Sequence, residues 1–196
     1  YNDLMLKILS HENVASRAPI YESYDKNVQG RVVNERGKTN AGVVAPFDSK
    51  KFPKEIKDDC FSAALAHNPS IGKIDPYLVA QHAVIEACAK TVSVGAFPLA
   101  LTDCLCFGNP EKPEQMWQFS QSCVAIREAC SLLHFNGTDN LPIVAGNVSF
   151  YNQSGDQSIP ASPMIGCFGK VSKEQVLMNG FRSVSYTHLT LPTSFE

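Results

Sequence analysis

Apolar residues along this chain follow two rhythms, one of three to four residues and one of two, and the changes between them mark out the elements. In DPYLVAQHAVIEACAKTVSVG the positions Val79, Ala83, Ala87 and Val94 recur at helical spacing. Asp75 stands before Pro76 as an N-cap before a first-turn proline, and Gly95 supplies a stop, so the pattern predicts a helix over 76–94. A strand comes next over 99–107, with Leu99, Leu101, Leu105 and Phe107 apolar and Asp103 set among them. Gly108-Asn109-Pro110 turns the chain into a second helix carrying Met116, Phe119, Cys123, Ile126, Cys130 and Leu133, which the polar loop HFNGTDN ends.

The stretch LPIVAGNVSFYNQSGDQSIPASPMIGCFGKV reads as a short buried strand, a break at Gly146-Asn147, a second short strand, a turn at Gly155-Asp156 and a final strand over 164–171. Upstream, YNDLMLKILS places Leu4, Met5, Ile8 and Leu9 on one helical face, and residues 29–60 read as loop-dominated. At least four strands alternating with helices make the class α/β or α+β, a mixed sheet with helices on one face. The tail SVSYTHLTLPTSFE keeps no period; a non-native stretch is expected there, with no function.

At 196 residues and 44% hydrophobic, the chain suits one packed domain with flanking pieces. Its first residue is Tyr and it opens directly into a helix, which reads as a piece of something longer. A net charge of −2 offers no basic stripe for phosphates, so nucleic acid is not expected as a partner. With neither a long apolar run nor a signal-like start, no membrane partner is expected and the cytoplasm is the expected compartment. Seven scattered Cys fit reduced core residues, and the Asn-x-Ser/Thr triplets at Asn136, Asn147 and Asn152 read as chance.

Asp103 changes this picture, because a carboxylate within an apolar strand is costly unless paired, hydrogen-bonded or bound to a cation. Gly146 would let a ligand approach the backbone, while Asn147 and Ser149 offer side-chain oxygens. With Asp103 these suit a Mg²⁺-bound polyphosphate. On composition alone, ordinary turns and a satisfied structural acid account for them better. Cys104 and Cys106 lie at strand spacing on one face, with Cys123, Cys130 and His134 as further donors, but no paired Cys-x-x-Cys points to structural zinc. His67 reads as a loop polar group, His82 as a helix-surface residue and Trp117 as a core anchor. No glycine-rich phosphate loop of known spacing occurs.

Taken together, YESYDKNVQG, DPYLVAQHAVIEACAKTVSVGAFPLALTDCLCFGNPEKPEQMWQF, REACSLL and LPIVAGNVSFYNQ...IPASPMIGCFGKV resemble the phosphoribosylformylglycinamidine synthases, amidotransferase-linked synthetases of purine biosynthesis. The resemblance runs from about Val14 to about Val171. It implies a fold like the amino-terminal domain of aminoimidazole ribonucleotide synthetase. It divides the chain into a connector from a preceding half at 1–35, the sheet domain of a second half at 36–172, and the start of a next segment with a tail at 173–196.

The activity implied is an ATP-dependent C–N ligase that makes the amidine from formylglycinamide ribonucleotide and glutamine-derived ammonia, with Mg²⁺. Its partners are a glutaminase domain or subunit and the remaining half of the synthetase. By position, Asp103 and Gly146 match ATP contacts, Asn147 a magnesium ligand and Ser149 a substrate contact, with both stretches expected to face one crevice. The family's catalytic His and other metal carboxylates match nothing here, so the chain alone is expected to be inactive. Two departures stand out: Ala145 where a second Gly is common, and Asn40 where an Asp is usual. Another enzyme of the superfamily, aminoimidazole ribonucleotide or selenophosphate synthetase, is the alternative, and a non-catalytic scaffold is a third.

Overall fold

A computed structural model describes residues 1–12, 14–16, 19, 22, 30–34, 38–133 and 140–178. Its helices are α1 (Asn2–Ser10), α2 (Pro69–Gly72), α3 (Pro76–Ser93) and α4 (Pro113–Leu132). The strands are β1 (Val32–Asn34), β2 (Gly42–Val44), β3 (Asp59–Ala66), β4 (Phe97–Cys106), β5 (Ile143–Ser149), β6 (Gln153–Ser154), β7 (Gln157–Ser158) and β8 (Ser162–Ser172). His134, Asn136 and the tail beyond Met178 lie outside the described residues.

The α3 helix starts where Asp75 caps it, its carboxylate accepting the N–H groups of Tyr77 at 2.8 Å and Leu78 at 2.9 Å. It ends as Gly95 turns left-handed at φ 82°. Its inner face is built of small residues, with Val79, Ala80, Ala83, Val84 and Ala87 all fully buried, so the helix lies close on the sheet. Ser122 of α4 donates to the Pro76 carbonyl at 2.9 Å, and the Tyr77 hydroxyl meets Glu128 at 2.5 Å, tying the two helices side by side.

Six strands form one sheet in the order β1-β2-β3-β8-β4-β5, antiparallel throughout except for the parallel β4–β5 pair, which α4 connects. The class is therefore mixed α/β, with α3 and α4 on one face. Leu101, Leu105, Phe107, Ile165 and Cys167 from the sheet meet those helices in the main core, and a second cluster holds Val43, Cys60, Ala64, Val94 and Val171. The opposite face carries exposed Phe61, Leu65, Phe97 and Phe168.

Several sequence expectations change. The loop-dominated reading of residues 29–60 misses β1 and β2 and ends just where β3 begins, so the sheet has six strands. Leu99 is not on the inner face: a bulge between Pro98 and Ala100 turns both Pro98 and Leu101 inward and leaves Leu99 outward. The two short strands with a break at Gly146-Asn147 are one continuous strand, β5, and it is exposed because it forms the sheet edge. Trp117 is not a core anchor, being 56% exposed on the outer side of α4. All seven Cys are free; Cys60, Cys88, Cys130 and Cys167 are buried, whereas Cys104, Cys106 and Cys123 are only half-buried.

Candidate functional site

Parallel pairing of β4 with β5 sets Asp103 opposite Gly146, Cys104 opposite Asn147 and Cys106 opposite Ser149. Alternation along β4 turns Asp103, with Leu101 and Leu105, toward the helices. Its carboxylate lies across Gly146, where any Cβ would collide with it. The strand carboxylate thus has room there, beside a neighbour without a side chain. Burial lifts the Asp103 carboxyl above its ordinary range, opposed by the Asn147 backbone N–H, which favours the charged form.

Above Asp103 a cavity of about 320 Å³ opens between α4 and the sheet edge, lined among others by Cys123, Ile126, Arg127, Asn140 and Ile143. Arg127 and Asn140 carry no signal in the sequence that singles them out. Arg127 is the cation among the described lining residues, so the cavity pairs one half-buried acid with one exposed base.

Asn147 and Ser149 face the other way, onto the open side of the sheet with Cys104 and Cys106. The expectation that both stretches face one crevice is thus corrected. They meet at one seam, yet strand alternation sends Asp103 to one side and Asn147 and Ser149 to the other. Asn152, which sequence reasoning missed, fixes this end of the seam, its amide donating to the Phe107 carbonyl at 3.0 Å and the Ser149 carbonyl at 2.8 Å. Beside it Tyr151 holds a left-handed φ of 59°, uncommon for a bulky residue. The Gly108 N–H donates to Gln115 at 3.1 Å, and Phe107, Phe119 and Phe150 pack edge to face at 5.5 and 5.2 Å, securing the turn beneath.

Among the described residues no group of three or more His, Cys, Asp or Glu could hold a metal by itself. The exposed Asn147 amide can lend one neutral oxygen to an ion held mainly by phosphates and water, a donor set that suits Mg²⁺. Asp103 does not join Asn147 around such an ion, being across the strand. Ala145 keeps its backbone role at the seam, its carbonyl accepting from Thr102 Oγ1 at 2.9 Å. Asn40 precedes β2, which three strands separate from β5, so it has no part here.

Comparison with known proteins matches residues 39–171 to the family described as AIR synthase related protein, N-terminal domain. Phosphoribosylformylglycinamidine synthase subunit PurL of Methanothrix thermoacetophila is 42% identical over 170 residues, 86% of this chain and 21% of the relative. The same subunit of Thermomicrobium roseum is 38% identical over 170 residues, 87% of this chain and again 21% of the relative. Among solved structures, Thermotoga maritima PurL complexed with ATP superposes with a TM-score of 0.65 at 29% identity, covering 83% of this chain and 24% of that one. The same protein complexed with FGAR gives the same values. The chain spans about a fifth of the length of the relatives it matches.

Proposed function

Since the chain belongs to the AIR synthase related protein family, we propose that it is a segment of an ATP-dependent carbon–nitrogen ligase, the synthetase that makes phosphoribosylformylglycinamidine. In that reaction the amide oxygen of formylglycinamide ribonucleotide takes the γ-phosphoryl group of ATP and ADP departs. Ammonia then adds to the activated carbon, and phosphate leaves to give the amidine. The observation that supports this reading best is the β4–β5 seam, where two of the stretches that carry the resemblance lie side by side with Asp103 against Gly146.

In this reading Asp103 and Gly146 contact ATP, Asn147 donates its amide oxygen to Mg²⁺, and Ser149 contacts the substrate. Bound Mg²⁺ neutralises phosphate charge as the phosphoryl group moves. The chain's own part is positioning: the Asn152 clamp holds Ser149, and Gly146 keeps the carboxylate where it lies. Residues 1–35 then connect from a preceding half, 36–172 form the sheet domain of the second half, and 173–196 begin the next segment. Catalytic residues, the ammonia-producing glutaminase and the remaining half of the synthetase come from outside this chain, and the compartment is the cytoplasm. The ATP and FGAR complexes of Thermotoga maritima PurL support the two ligands, and the structure of PurLQS from the same organism supports further protein partners.

The test is ADP release by the complete enzyme that carries this segment. Release that requires both formylglycinamide ribonucleotide and ammonia is expected. Release indifferent to both, or absent, would overturn the assignment.

A further inference from the structure

Outside the proposed roles, β4 brings two thiols into contact on one face of the sheet. Cys104 and Cys106 stand two apart on β4, half-buried on the open face, with their sulfurs 3.7 Å from each other. Two sulfurs bound at about 2.3 Å to one tetrahedral or trigonal ion stand roughly 3.8–4.0 Å apart. A disulfide asks for something else, sulfurs at about 2.05 Å and Cβ atoms near 3.8 Å. Same-face neighbours on a strand lie about 6.7 Å apart at Cα, the upper limit for such a bond, so the strand would have to contract to form it. An ion needs no such movement.

A third sulfur lies across the ladder. Met164 of β8 is the direct antiparallel partner of Cys104, which puts both side chains on the same face. No carboxylate or imidazole joins them among the described residues. Two thiols and a thioether without nitrogen or carboxylate donors form a soft set that favours Cu(I) over Mg²⁺ or Zn²⁺. We infer that Cys104, Cys106 and Met164 form a binding site for a thiophilic monovalent cation of the Cu(I) kind on the open face of the sheet. The site stands whether or not the ligase reading holds. Binding displaces the two thiol protons, and the cation then sits beside Asn147, the parallel partner of Cys104.

The experiment titrates the 196-residue chain anaerobically with Cu(I) against a chromophoric Cu(I) chelator. One equivalent should be retained. Cys106→Ser should abolish retention, Met164→Leu should weaken it about tenfold or more, and Cys123→Ser, a half-buried thiol on the other side of the sheet, should leave it unchanged. X-ray absorption should count three sulfurs around the ion in the parent and two in Met164→Leu, a volume-conserving change that keeps the fold even if a Cys variant does not. No retention at all, retention that Cys106→Ser leaves intact, or a sulfur count that Met164→Leu does not alter would overturn the assignment.

Discussion

Asp103 shows how one residue can be unfavourable for the fold and still be kept in place by it. Its folded-state pKa lies above the ordinary carboxylate value of 3.8, chiefly through burial. Protonation therefore favours the fold below 3.8, and that contribution is lost as pH rises through the folded-state value. At pH 7 the half-buried charge is a cost, so Asp103→Asn should melt higher than the parent, with the difference closing as the pH falls below 3.8. Melting curves from about pH 3 to 8 decide this, and a variant less stable at pH 7 would mean the carboxylate has a favourable partner. On the reading that Asp103 contacts ATP, the same change in the complete enzyme should lower ATP-dependent turnover, read as ADP release. Gly146→Ala should lower turnover too, by displacing the carboxylate, at a stability cost of about 1–3 kcal/mol read by urea unfolding. Asp103 was legible in the sequence because an acid in an apolar strand is visible at once. Gly146 could not be read as its neighbour, since that relation depends on strand pairing across some forty positions and on an absent side chain.

Among elements, α3 was legible because its cap, its period and its stop agree, and each has a local cause. Asp75→Ala should cost about 1 kcal/mol in chemical denaturation, as two N–H groups lose their acceptor. An unchanged midpoint would show that water replaces the cap without loss. The edge strand β5 was misread for a related reason: glycine beside asparagine is a turn signal in local terms, and only pairing to β4 keeps these residues extended. Burial was misjudged there as well, since an apolar run looks the same at the edge of a sheet as at its centre. In β4 the bulge at Leu99 adds one residue and resets the alternation, which no two-residue period can anticipate.

At the scale of the molecule, helices on one face of a mixed sheet could be inferred from the order of elements, whereas β3 escaped notice because DCFSAALA mixes small and polar residues without a strong alternation of hydropathy. On the ligase reading, the 196-residue chain by itself should release no ADP with formylglycinamide ribonucleotide, ATP and ammonia. Substrate-dependent turnover by the chain alone would refute the division of labour between halves. The two-sidedness of β4 also bears on how variants of this chain can be judged. Leu101 and Leu105 pack against the helices, while Thr102, Cys104 and Cys106 face outward. A library screened only for soluble expression would register damage at the first set and pass nearly everything at the second. Selection by growth, with the complete enzyme supplying an essential product, would register both sets, so the difference between the two screens would map the outward face position by position.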